Sequence, residues 1–209
     1  MTWDEIGAAT REAVFVVTLG ELDGTTIILD LAHMVYPACY GFAGELFDPN
    51  VRSSGPVFSI TKRFQRLLDA GVRLLVVDEG TARPDEKRQC GAERSDRVAA
   101  ARAVVAAKLA LPDAAVSDEE YRAAFKVPHW LSKEVARWIS NARTHGAPIA
   151  YVCAPFEADA QCAALMKTEY FSGAYWMSGD NDTIAFGDED NKYLRPATAG
   201  VSRRCTSRG

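Results

Sequence analysis

Three short stretches of the chain are apolar without alternation: Thr25–Asp30 (TTIILD), Val72–Asp78 (VRLLVVD) and Ile149–Ala154 (IAYVCA). A strand covered by helices on both faces carries that pattern, so each predicts a buried parallel strand. Ala174–Ser178 (AYWMS) predicts a fourth, and Lys192–Arg195 a short fifth. Between them the apolar period lengthens to that of a helix. Val57, Ile60, Phe64, Leu67 and Leu68 mark a helix from Pro56 to Ala70, stopped by Gly71. An alanine-rich helix is expected over Val98–Leu109. A further helix opens at Ser117, whose spacing to Glu120 makes a capping box, and runs to about Phe125. Trp130 to His145 carries Leu131, Val135, Trp138, Ile139 and Ala142 on one face, and Glu157 to Lys167 forms the last helix.

Strands alternating with helices predict an α/β fold with a mainly parallel sheet flanked by helices. Residues 83–145 are too long for an ordinary crossover and too periodic for a loop, so they read as a helical excursion between two strands. The last residues, VSRRCTSRG, read as a basic disordered tail, leaving 1–196 as a single domain.

Composition narrows the classes. The chain has 209 residues, 48% of them hydrophobic and 25% charged, which is ordinary for a soluble globular protein. No apolar run approaches the ~20 residues of a membrane helix. Asp4, Glu5, Arg11 and Glu12 interrupt any signal-peptide pattern. The five cysteines form no CxxC pair, so neither a disulfide framework nor a zinc site is indicated, and a reducing intracellular compartment is the expectation. His33, His129 and His145 are scattered and read as structural or solvated positions.

Net charge is −4, which taken alone argues against a nucleic-acid binder. Its distribution is uneven: Arg83 to Lys108 carries seven basic and four acidic residues, so the window is +3 and the remainder −7. A solvated amphipathic helix accounts for that window as well as a polyanion contact does.

The carboxylates carry the chemistry. Asp30 ends the first strand and Asp78 the second. Glu157 and Asp159 follow the third, and Asp180 and Asp182 follow the fourth. Ligands of open parallel α/β sheets bind outside the carboxyl ends of the strands, so these six acids are expected at one edge. Six converging carboxylates need a countercharge. Hard divalent cations, Mg²⁺ or Mn²⁺, supply it, and a pair of them suits in-line displacement at phosphorus. Each acid taken singly fits a cap or turn equally well. Asp180-Asn181-Asp182-Thr183 is similar to the DxDxT/V of haloacid-dehalogenase phosphatases, but its threonine comes one place early and the motif lies near the end of the chain. Dinucleotide, P-loop and serine-elbow motifs are absent.

The blocks ILDLAHMVY, VVDEG, APFEADAQCAAL and SGDNDTIAFG resemble those of the flap endonuclease/XPG-type structure-specific 5′ nucleases, a family with a PIN-like nuclease core. The third block matches the family's A-P-x-E-A-E/D-A-Q. The resemblance runs from about Thr25 to Pro196 and implies that Asp30, Asp78, Glu157, Asp159, Asp180 and Asp182 hold two Mg²⁺ ions, with Mn²⁺ as a substitute. It implies that Lys87 and Arg94, seven residues apart, reach the scissile phosphate as catalytic cations. Tyr36 falls where the family stacks an aromatic ring on a base, although its apolar neighbours fit a core position equally. The excursion 83–145 becomes a helical arch, with Arg83, Arg88 and Arg97 as further nucleic-acid contacts. Departures are present: the chain begins MTWDEIGAATREAV in place of the family's Met-Gly start. It also ends before the family's helix–two-turn–helix and lacks a sliding-clamp box.

The resulting expectation is a Mg²⁺-dependent 5′-flap endonuclease or 5′ exonuclease of DNA replication and repair, nuclear by resemblance. DNA is favoured and RNA possible as the nucleic-acid partner, and no membrane is involved. The alternatives are a non-catalytic nuclease-like scaffold in RNA regulation and a PIN-like ribonuclease.

Overall fold

The computed structural model describes residues 14–80, 85–178, 192–195 and 202–206, with the side chains of 14–16, 85–90, 195 and 202–206 left aside. Seven strands form one sheet: β1 (Val14–Val17), β2 (Thr26–Asp30), β3 (Arg73–Asp78), β4 (Ile149–Cys153), β5 (Tyr175–Met177), β6 (Lys192–Arg195) and β7 (Ser202–Thr206), in the order β1-β7-β6-β5-β2-β3-β4. The five strands from β6 to β4 are parallel, while β7 and β1 are antiparallel additions at one edge. From β2 the chain crosses to β3 and β4 on one side and later to β5 and β6 on the other. The order therefore reverses between β2 and β5, and the ligand crevice of a parallel sheet forms at such a reversal.

Successive side chains of a strand point to opposite faces, and both faces here are apolar. Ile27, Leu29, Leu74 and Val76 pack with α1 (Ala32–Tyr40), α2 (Gly55–Asp69) and α5 (His129–Thr144), burying Phe64, Leu131, Val135 and Ile139. Ile28, Leu75 and Val77 face the other way, onto Ala158, Cys162 and Met166 of α6 (Ala158–Met166) and onto Trp176. The parity of Asp30 follows Ile28, which puts it on the α6 face.

The observed strands and helices match the sequence pattern within one or two residues, with four differences. Helix α1 was not foreseen, because Pro37 interrupts its pattern; it is held by burial of Met34, Val35, Ala38 and Cys39. Helix α3 (Asp85–Leu109) begins far ahead of Val98. Its first half is polar and offers no apolar stripe to read. Val14–Val17 and Ser202–Thr206 form strands, the second inside the stretch read as a disordered tail. Backbone pairing supplies what the composition of that stretch does not: β7 runs antiparallel between β1 and β6.

The excursion also divides. Helix α5 belongs to the core, whereas α3 and α4 (Asp118–Ala124) pack on each other and bury few side chains, among them Val105 and Ala124. On α3 only Val105 is buried among the described side chains. Arg102 ties the helix down: its guanidinium donates to Phe47 O at 2.6 Å and Ala124 O at 3.4 Å and lies 4.5 Å from the Phe47 ring. Lys108 pairs with Glu120 at 2.5 Å, and Glu120 also closes the capping box with Ser117. Among the described residues no helix is long and apolar enough to cross a membrane.

Arg102→Ala is expected to cost about 2 kcal/mol, through the lost charged hydrogen bonds and ring contact. Amide hydrogen exchange should accelerate in α3 and α4 while β2, β3 and β4 stay protected. Unchanged exchange in α3 would contradict this anchoring.

Candidate metal centre at the strand ends

Asp30 is the last residue of β2 and only 3% exposed. Its placement follows from the register: Leu31 N–H donates to Val77 O, so the chain stays in the sheet for one residue past the strand. It then turns into α1, whose Ala32 N–H donates to Asp30 Oδ1 at 2.8 Å. One turn on, His33 Nε2 lies 3.3 Å from the second oxygen, Asp30 Oδ2. Asp159, in the first turn of α6, completes a group whose ligand atoms all lie within 4.8 Å of one another.

Burial pushes the Asp30 carboxyl up to about 7, and the neighbouring charges of Asp159, Glu79 and Asp78 push in the same direction; the Ala32 N–H opposes them. Burial, together with Asp30 and Asp159, also raises the Cys162 thiol, which stays protonated beneath the cluster. Burial and like charge both work against an ionised Asp30, and a cation beside the cluster would favour the ionised form. The donor set of carboxylates and one imidazole suits a divalent ion.

The loops after β3 and β4 are locked together. Gly80 N–H donates to Phe156 O at 2.7 Å, and Ala154 N–H donates to Asp78 O at 2.9 Å. A Cβ at Gly80 would collide with the carbonyl oxygens of Ala154 and Phe156, so glycine alone allows that approach. Asp78 Oδ2 accepts the Tyr151 hydroxyl at 2.5 Å, and Asp78 Oδ1 accepts Glu79 N–H at 2.9 Å. Glu79 reaches across to the start of α6, where its Oε2 accepts Ala158 N–H at 3.4 Å. Glu157 is the N-cap residue of that helix, half-buried, with Oε1 fully buried. The positive end of the helix dipole favours the acids gathered there.

Of the six acids read from the sequence, Asp159 and Asp78 each act on Asp30, and Glu157 occupies the N-cap position of the helix that carries Asp159. Asp180 and Asp182 lie outside the described residues, as does Arg83. Lys87 and Arg88 sit on α3, with side chains outside the description. The helix is unbroken from Lys87 to Arg94, so their spacing is two turns, or roughly 10 Å of rise. Arg94 and Arg97 are exposed. Tyr36 is 40% exposed and meets Phe125 edge-on at 6.1 Å, so it is neither a core residue nor free of packing.

Three participants escaped the sequence reading. His33 has the pattern of a structural or solvated position, and it meets Asp30 because α1 begins two residues after the strand ends and turns its first residues back over the carboxylate. Glu79 stands beside Asp78 in the same loop. Tyr151 pairs with Val76 across β3 and β4, so its side chain shares a face with Asp78 two residues on. A second feature had no sequence signal: a groove of about 640 Å³ in which the cations Arg52, Arg102, Lys126, Lys133 and Arg137 outnumber the acids Asp48 and Glu134. Lys126 in its lining follows Phe125 in the chain, whose ring meets both Tyr36 and Tyr40.

Residues 148–198 match the family model described as the XPG I-region. No curated protein sequence matches the chain. Among solved structures the chain is similar to the catalytic core of Rad2 in complex with DNA substrate, at 20% identity and a TM-score of 0.65, covering 97% of this chain and 54% of that one. It is also similar to human GEN1 in complex with Holliday junction DNA, at 17% identity and a TM-score of 0.56, covering 98% and 43%. GEN1 with product DNA and Mg²⁺ gives 18%, 0.52, and coverage of 96% and 38%. These likenesses establish the fold: a central parallel sheet flanked by helices, with an arch-like helical insertion. The chain spans about half the length of these solved chains or less.

The fold holds the Asp30 proton more tightly than the unfolded chain does, whose pKa is near 3.8. Metal-free stability should therefore fall as pH rises from about 4 through about 7, by about 1.4 kcal/mol for each pKa unit between the two states. Asp30→Asn should flatten that dependence and raise the melting temperature of the EDTA-treated protein at pH 8. Identical pH profiles for the two proteins would contradict the burial and charge assigned to Asp30.

Proposed function

We propose that the protein is a divalent-metal-dependent nuclease that hydrolyses phosphodiester bonds, acting on DNA in the manner of the structure-specific 5′ nucleases. The observation that carries this reading is the meeting of Asp30, at the carboxyl end of β2, with Asp159, in the first turn of α6, with burial and the charges of Asp159, Glu79 and Asp78 raising Asp30 to about 7. Support comes from the XPG I-region match over 148–198 and from the fold shared with DNA-bound cores of Rad2 and GEN1.

In this reading Asp30, Asp78, Glu157 and Asp159 hold Mg²⁺ or Mn²⁺, with Asp180 and Asp182 as further ligands. Such ions supply countercharge to the phosphate and acidify a bound water. The chain's own groups do the positioning. Tyr151 holds the Asp78 carboxylate by its hydroxyl, and the Gly80–Phe156 hydrogen bond keeps the two acidic loops in register. Lys87 and Arg94, two turns apart on α3, would place cations against the phosphate being cleaved. Tyr36, packed on one edge and open on the other, would stack on a base beside it. Arg83, Arg88 and Arg97 would follow the strand along α3.

The basic groove extends the same logic. Arg52, Lys126 and Lys133 pair with no carboxylate among the described residues, while Arg137 pairs with Glu134. A phosphate backbone leaving the centre past Tyr36, Tyr40 and Phe125 would meet those cations next.

End-labelled 5′-flap DNA and single-stranded RNA, each with Mg²⁺, Mn²⁺ or EDTA, test the reading. Metal-dependent cutting of the flap, lowered on the order of 100-fold or more by Asp159→Asn, is expected. RNA cut in preference to DNA would favour the ribonuclease alternative. No cutting by folded, metal-binding protein would contradict the assignment of an enzyme and favour the scaffold. In the binding equilibrium, Arg94→Ala should lower the slope of log affinity against log salt by about 0.7–0.9, the share of one phosphate contact. An unchanged slope would remove Arg94 from the interface.

A further inference from the structure

We propose that His33 is itself a metal ligand, and that it gives the Asp30–Asp159 centre a nitrogen donor that raises its selectivity for Mn²⁺, Co²⁺ and Zn²⁺ over Mg²⁺. The inference rests on the reading of this cluster as a metal centre and adds to it the identity of a donor and the ion preference that follows.

The geometry begins with the two oxygens of Asp30, which have separate duties. Oδ1 accepts the Ala32 N–H at 2.8 Å and is turned into the start of α1. Oδ2 is the oxygen that faces His33, with Nε2 at 3.3 Å. Two donors sharing one ion at about 2.1 Å, at angles between an octahedral and a tetrahedral edge, lie roughly 3.0–3.4 Å apart. The observed separation fits that edge. One atom from each of Asp30, His33 and Asp159 lies within 4.8 Å of the other two, so a side-chain adjustment of a few tenths of an ångström at most brings all three within the ~4.2 Å span of donors about one ion. Asp30 is buried, and the His33 side chain is 21% exposed, which fixes the ring on one side and leaves room for water ligands on the other.

The chemistry of the donors then sets the preference. Mg²⁺ takes oxygen in a strict octahedron and gains little from imidazole. Imidazole favours the first-row transition ions and Zn²⁺. Any site of nitrogen and oxygen donors binds those ions more tightly in absolute terms, so the diagnostic quantity is the change on removing the ring, ion by ion. A histidine that merely donated a hydrogen bond to Asp30 would orient the carboxylate, and its loss would weaken every divalent ion alike.

The test uses the full chain, its His33→Gln variant, which keeps a polar side chain of similar length, and His33→Ala. Calorimetric titration and thermal melting are run with Mg²⁺, Mn²⁺, Co²⁺ and Zn²⁺ singly at one pH. Pulsed electron paramagnetic resonance of the Mn²⁺-loaded protein reads directly bound nitrogen. The expected result is a ¹⁴N coupling in the wild type that both variants lose. Affinity for Co²⁺ and Zn²⁺ should fall about 10- to 100-fold while that for Mg²⁺ changes by less than about threefold. Mg²⁺ binding with no ¹⁴N coupling to Mn²⁺, or an equal loss for all four ions, would overturn the ligand role of His33 and leave the metal centre standing. Failure of the wild type to bind any of the ions would overturn both.

Discussion

The repulsion among carboxylates at the ends of three parallel elements is the constraint on which the rest of this structure depends. Asp30 is buried beside Asp159, Glu79 and Asp78, and its carboxyl responds by rising to about 7. A cluster of that kind costs folding free energy above neutral pH unless a cation joins it. The features around it make sense as means of holding like charges together: the Ala32 N–H on Asp30, the Tyr151 hydroxyl on Asp78, the Ala158 N–H on Glu79, and a helix N-terminus beneath Glu157 and Asp159.

The fold divides its labour accordingly. A sheet apolar on both faces supplies a rigid frame, and Asp30 lies beside the reversal of strand order, the place where parallel sheets form their ligand crevices. The Gly80 contact with the Phe156 carbonyl welds two acidic loops into one surface. Helix α3 is built otherwise. It is anchored through Arg102, Val105 and Lys108 in its second half, and its described residues from Ala92 to Arg97 are exposed.

Much of this was legible in the sequence because the relevant physics is local. An uninterrupted apolar run ending in Asp identifies a strand buried on both faces and the residue at its mouth, and β2 and β3 read that way without ambiguity. Capping at Ser117 was equally plain. What escaped depends on tertiary neighbours. Helix α1 hides behind Pro37, the polar first half of α3 shows no stripe, and β7 owes its existence to pairing partners rather than to its own residues. The same holds for the site. His33 and Tyr151 join it only because α1 folds back on Asp30 and β4 sets Tyr151 across from β3, and the groove gathers residues from three separate segments.

The most direct test of a metal centre at this edge is the anomalous scattering of a crystal of the protein soaked in Mn²⁺. The account predicts a peak bounded by the carboxylates of Asp30 and Asp159, absent from Asp30→Asn crystals treated identically. A well-ordered cluster with no peak there, at millimolar Mn²⁺ and with the acids ionised, would contradict it.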